Sequence, residues 1–464
     1  MGFSLKKWFA PTDMTTGTPW KKIAAFTVPM LLGNVAQQLY NTADSVIVGM
    51  FVGDNALAAV GSAMPILNLL LALFVGIATG AGIVISQAYG ARDRDGLSRS
   101  IGNCITLAGV ASVVIMVVGP LLTRPMLVLL GTPDSILGWC TSYLVIQFVG
   151  IAGFFFYNML SGVLRGLGDS VSALGFLLLA AALNVVLDLL FVAGFDMGVA
   201  GVSLATVIAQ TISALFCFRK LMKMRAIIDL NKQTVRLDQN VAMRIIRLGV
   251  PSGITQAIFS MAGMVVQTLT NSMGEMVIAA NVIIMRVDGF AMMPNFSFGQ
   301  AMSVYTGQNV GAAKYDRVGL GTRQGTIIAV SCSAVITCVL LFLNKFLFGI
   351  FTDTAELIDL AGRMMRLMAV GYLGVAITQS LGGVMRGAGD TVSPMWISII
   401  STVFLRVPVA YVMAHFTASE AWPHGHPFSL SASLLISWVL GAVMSCVVFK
   451  KGKWKKTMRA FHEP

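Results

Sequence analysis

Asp44 and Asp188 are carboxylates set in long apolar runs. Each has a polar residue four positions earlier: Tyr40 in LYNTADSV and Asn184 in LNVVLDLLFVAG. Residues four apart share one face of a helix, so each pair would present two oxygen-bearing groups together. A charge at the centre of a bilayer costs about 2.5–3.5 kcal/mol on insertion scales. A water-soluble core would also resist it unless it were paired. An acid kept against that cost is either a hydrogen-bonding strut between helices or a group that is neutralised and recharged. A third deep acid, Asp288, lies in IIMRVDGFAMMPNF beside Arg286, and Arg406 lies in STVFLRVPVAY. Asp288 and Arg406 can form a structural ion pair, or Asp288 can face a cavity. Glu275 falls in a turn and is expected to be solvated.

These residues need elements that hold them out of water. Of the 464 residues, 56% are hydrophobic and 11% charged, and the mean hydropathy is +0.81. Soluble domains carry about 25% charged residues, so a polytopic membrane protein is expected. Membrane helices need about 20 mainly apolar residues. Runs of that length occur at 23–50, 57–88, 100–122, 136–160, 171–193, 199–218, 245–271, 277–307, 324–344, 364–383, 393–414 and 428–449. Internal prolines (Pro29, Pro65, Pro294, Pro408) fit kinks. The six cysteines form no CxxC pair, so no disulfide framework or metal-ligand spacing is expected. His424 and His426 read as part of an outer loop.

The net charge of +12 is a topology signal, not a nucleic-acid footprint. Twelve spans place 26 of the 32 Lys and Arg on one side, including Lys6, Lys7, Lys21 and Lys22, the connector after span six, and the closing KKGKWKKTMR. By the positive-inside rule both termini are cytoplasmic. The expected domains are a lead-in at 1–22, an N-lobe at 23–218, a linker at 219–244, a C-lobe at 245–449 and a basic tail at 450–464.

The halves repeat. GVLRGLGDSVS (162–172) returns as GVMRGAGDTVS (383–393). The same offset relates QAYGA (87–91) to QNVGA (308–312), while Val28-Pro29 and Val250-Pro251 correspond one residue off. Six spans repeated as six keep one orientation. This predicts an all-α membrane protein of two six-helix bundles about a pseudo-two-fold axis along the membrane normal, as in many secondary transporters. No GxxxxGK[ST] phosphate loop, nucleophile–base pair or metal constellation is present, so an enzyme is not expected. Gly76–Gly80 spacing reads as close helix packing.

RGLGDS, RGAGDT, QAYGA, QNVGA and GVAGVSLATVIAQ (198–210) together resemble the multidrug and toxic compound extrusion (MATE) family over nearly the whole chain. The resemblance implies a twelve-helix, two-lobe exporter of bulky, often cationic compounds, driven by H⁺ or Na⁺. It is strongest to the branch whose cation site lies in the N-terminal lobe, and it implies roles for Pro29, Tyr40 and Asp44 on span one, Asn158 on span four, Asn184 and Asp188 on span five and Thr206 on span six. Pro29 would be a hinge. Two facing carboxylates in a low dielectric cannot both stay ionised cheaply. Such a pair binds a proton, or Na⁺ at Asp44, Asn184, Asp188 and Thr206. Spans seven and ten hold no acid in their middles, so no coupling site is expected in the C-lobe.

The expected protein is therefore an antiporter of the plasma (inner) membrane, working as a monomer on hydrophobic cations, with no cofactor beyond the coupling ion and no nucleic-acid partner. The 28 Met and 27 Phe suit promiscuous apolar walls. Phe154, Phe155, Phe156, Tyr157, Met292 and Met293 are candidate cavity residues. The alternative is a flippase for lipid-linked or polysaccharide precursors. It would need several basic residues in its cavity, where only Arg286 and Arg406 qualify; a transport-dead scaffold would not need the acids.

Overall fold

The computed structural model describes residues 11–231 and 233–459; Lys6, Lys7 and Lys232 lie outside the described residues. The described chain is almost wholly helical. Twelve principal elements follow the order expected: α1 (Pro19–Phe51), α2 (Asp54–Gly90), α3 (Arg94–Leu129), α4 (Asp134–Val149 with Ile151–Gly166), α5 (Ser170–Asp188, running on into Leu189–Gly194) and α6 (Gly198–Met222). Then come α7 (Gln239–Ser272), α8 (Glu275–Gly311), α9 (Tyr315–Phe342), α10 (Ala355–Ala369 with Gly371–Gly387), α11 (Val392–Ile399, Ile400–Arg406 and Val407–Phe416) and α12 (Phe428–Lys451). Among the described residues nine segments are long and apolar enough to cross a membrane, and the two bent pairs bring the number to eleven. The element outside that set is α1, which is 33 residues long. It carries Asn34, Gln37, Gln38, Asn41, Thr42, Asp44 and Ser45 along its length. The polar residues that dilute its apolarity include a deep acid.

Two spans differ from expectation. The run at 136–160 is bent by 52° at Gly150, and the run at 364–383 starts earlier, at Ala355, and bends by 44° at Val370. Each bend sits at or next to a glycine packed tightly against a neighbouring helix. A Cβ on Gly150 would lie 2.2 Å from the Val207 side chain, and one on Gly371 would lie 2.5 Å from the Trp438 ring. Only glycine lets each bend pack against its neighbour. Arg363 and Arg366 belong to the first arm of α10, where Arg363 pairs with Asp359 at 3.0 Å.

Gly150 and Gly371 hold matching positions in the two repeats, and the repeat is visible in the backbone elsewhere. Arg92 and Ala313 take the left-handed conformation at φ 56° and 54°, and Gly168 and Gly389 at 86° and 96°. In the RGxGD turns Asp169 accepts from the Ser172 amide at 2.9 Å, and Asp390 accepts from the Ser393 amide at 3.0 Å. Each carboxylate caps the helix that follows, as Asp does at helix starts. A π-helical stretch interrupts α5 after Asp188 and α11 before Val407.

The chain forms two compact units. The first contains Pro29–Gly253 with the described residues before Met14; the second contains Met14–Val28 and everything from Ile254 on. The boundaries fall inside α1, at Pro29, and inside α7, shortly after Pro251. In the first unit Phe74 stacks on Phe155 at 3.7 Å in the main apolar core. There the Gly76–Gly80 ridge of α2 meets Gly249 and Gly253 of α7, and a Cβ on Gly76 would sit 2.3 Å from the Gly253 amide nitrogen. In the second unit Tyr372 and Trp438 pack at 5.3 Å inside an apolar cluster. Residues 14–17, expected as part of a lead-in, are built into this unit. The Gln308 side chain accepts from the Met14 amide at 2.9 Å, and Lys314 and Arg317 donate to the carbonyls of Thr15 and Gly17 at 2.9 and 3.0 Å.

Candidate functional site

Three helices of the first unit bring the N-lobe residues together. α1 supplies Tyr40 and Asp44 from one face, the last turn of α5 supplies Asn184 and Asp188, and α6 supplies Thr206. Asp188 and Asn184 are fully buried, and Asp44 nearly so. Asp44 and Asp188 are neighbouring side chains. The Asn184 amide donates to the Thr206 hydroxyl at 3.3 Å.

Four oxygens of this group are buried with no hydrogen-bond partner: Oδ1 of Asp44, Oδ1 of Asn184, and both oxygens of Asp188. Leaving a buried acceptor unmade costs about 1–3 kcal/mol. A strut between helices would consume those acceptors; here they converge unspent. Two carboxylates, an amide oxygen and a hydroxyl are hard oxygen donors that suit a proton or an alkali cation. Asp188 also ends the regular part of α5, and π-helical turns of the kind that follows it recur at functional sites.

Asn158 does not join the group. Its amide donates to the Phe154 carbonyl one turn back, at 2.9 Å. Pro29 lies within α1. Lacking an N–H, it cannot close the turn to Ala25, and it begins the main stretch of the first compact unit.

The expected pairing of Asp288 with Arg406 is not formed. No ion pair joins them; instead the Tyr372 hydroxyl donates to Asp288 Oδ1 at 2.5 Å, and Arg406 Nε is buried without a partner. Tyr372, fully buried next to Trp438, supplies the carboxylate's hydrogen-bond donor. Arg286 is exposed on α8. Phe155 and Tyr157 belong to the core of the first unit, with Phe154 and Phe156 packed against it. Met293 is buried on α8, whereas Met292 lines a cavity in the second unit with Phe259, Phe296 and Trp438. That cavity also contains Arg386, the arginine of RGAGDT in the last turn of α10. The signal that could have found it is the internal alignment, where the residue one turn before the arginine changes from Ser161 to Gly382.

These features together make a polytopic all-helical membrane protein built from a duplicated six-helix unit. The chain belongs to the MATE family of transporters: the MatE profile matches it twice, over residues 29–190 and 251–412. The matches begin at Pro29 and Pro251; the main stretch of the first compact unit also begins at Pro29, and that of the second begins three residues after Pro251, at Ile254. The chain is 29% identical over 427 residues to the probable multidrug resistance protein YoeA of Bacillus subtilis, covering 90% of this chain and 92% of that one. It is 25% identical to the probable multidrug resistance protein NorM of Thermotoga maritima, covering 98% and 97%. Its structure superposes on an outward-facing MATE family multidrug resistance transporter of the MOP superfamily with a TM-score of 0.88, at 22% identity, over 97% of this chain and 99% of the other.

Proposed function

We propose that the protein is a secondary active multidrug efflux antiporter that exports bulky, often cationic compounds in exchange for H⁺ or Na⁺ by alternating access. The observation that carries this reading is the convergence of four unpartnered buried oxygens from Asp44, Asn184 and Asp188. Entry of a cation from outside neutralises the Asp44–Asp188 pair. Loss of their mutual repulsion changes what α1 and α5 prefer, α1 rearranges at Pro29, and the exported compound leaves. Release of the cation to the inside recharges the pair and resets the cycle. Tyr40 and Thr206 orient the acids, and Asn184 adds a neutral oxygen. The membrane is the plasma (inner) membrane with both termini cytoplasmic, as the distribution of Lys and Arg supports. The multidrug names of its relatives support the substrate class.

The test is ethidium movement in proteoliposomes under an imposed pH gradient without sodium, comparing the native chain with Asp188→Asn. Gradient-driven movement that vanishes in the variant supports proton coupling at this site, and the same pattern under a sodium gradient supports sodium coupling. Movement unaffected by the substitution contradicts the role given to Asp188.

A further inference from the structure

Arg165 and Arg386 hold the same position in the two repeats, yet their surroundings differ. Arg165 donates from Nη1 to the Ser161 hydroxyl at 2.8 Å. At the position matching Ser161 the second repeat has Gly382, and at the position matching Ala78 it has Gly299. Both glycines clear the space around the second guanidinium. A Cβ on Gly382 would lie 3.3 Å from Arg386 Nη1, and one on Gly299 would lie 3.4 Å from Nη2. Among the described residues no ion pair or hydrogen bond holds the Arg386 guanidinium. It stands in the wall of the second unit's cavity, whose other walls include Met292, Phe296 and Trp438. The Ser445 hydroxyl also lines this cavity, buried and without a partner. A guanidinium presents a planar fork of donors that matches an oxyanion.

We infer that this cavity is a binding site for an oxyanion carried on an apolar body, such as an aromatic carboxylate. Arg386 receives the anionic group, the Ser445 hydroxyl supports it, and the methionine and aromatic wall takes the apolar part. Beyond the proposed export of cations, anionic or zwitterionic amphiphiles are then also recognised, by a unit that lacks the acid pair. Only binding is at issue, so a failure of the coupling role of Asp188 would leave this site standing, and the reverse.

The experiment uses the full chain in detergent. Trp438 lies in the cavity wall, and quenching of tryptophan fluorescence reports 2-naphthoate, with 2-naphthamide as its uncharged counterpart. The native chain is expected to bind the naphthoate at least about tenfold more tightly than the amide, the scale of a charge-assisted hydrogen bond. Arg386→Gln should remove that preference. Gly382→Ser should remove it too, because the new hydroxyl copies the Ser161 tether and occupies the guanidinium; this variant keeps the arginine and its charge. Inorganic phosphate at equal concentration should fail to displace the naphthoate. Equal binding of naphthoate and naphthamide to the native chain, an unchanged preference in either variant, or displacement by phosphate alone would each overturn the proposal.

Discussion

The two units share a fold and differ in what they bury. In the first, two carboxylates and an amide oxygen converge with four acceptors unsatisfied. In the second, the position matching Asp44 in the Pro29–Pro251 register is Val266, that matching Asp188 is Val409, and the deep acid Asp288 already has a donor in Tyr372. Among the described residues there, Arg406 Nε is buried without a partner, and the Arg386 guanidinium makes no side-chain hydrogen bond or ion pair. On the readings proposed above, one unit takes cations and the other takes anions on the same backbone. An acid whose acceptors are free can be loaded and unloaded; an acid already bonded to a buried tyrosine is a structural fixture. That contrast separates the functional from the structural reading better than placement in an apolar run, which Asp188 and Asp288 share.

The contrast can be challenged by four sets of substitutions, taken in falling order of effect. Asp188→Asn or Asp44→Asn should abolish gradient-driven ethidium movement in proteoliposomes while leaving the melting temperature in detergent unchanged or raised, because an unmade charge is removed. Combining the two should cost no more than either alone, since residues acting as a unit are non-additive; additive partial losses would show that the acids work separately. Asp288→Asn should retain most of the transport but lower stability by about 1–3 kcal/mol through loss of a buried charge-assisted bond, read as a fall in melting temperature that Tyr372→Phe reproduces. Asp169→Ala and Asp390→Ala should each cost about 1 kcal/mol as lost helix caps. Asp169→Ala should cost slightly more, because Asp169 also lies 3.7 Å from Lys220 Nζ; transport lost in either variant at unchanged stability would contradict a purely structural role for the turns.

Much of this is legible in the sequence because it rests on local rules. Spacing in α1 and α5 puts Tyr40 with Asp44 and Asn184 with Asp188, and the RGxGD turns announce their caps at Asp169 and Asp390. The constant offset between the repeats reveals the duplicated unit. What escapes depends on contacts between distant residues. Gly150 reads like any membrane glycine until Val207 is seen pressing on it. Asn158 has the right type for the cation group, but bonding to its own helix is always open to an asparagine side chain. Charge alone suggests an Asp288–Arg406 pair, and a buried tyrosine supplies the partner instead. Arg386 reads as a loop cation because the glycine that frees it, Gly382, carries no chemistry of its own.

In the proposed cycle, exported compound and coupling cation compete through the Asp44–Asp188 pair. The decisive measurement is release of bound cation when ethidium is added to the purified full chain, protons by pH in weak buffer and radioactive Na⁺ by filtration. Release is expected from the native chain and from Asp288→Asn, and none from Asp188→Asn. Release that persists in Asp188→Asn and disappears in Asp288→Asn would contradict this competition and move the coupling site to the second unit.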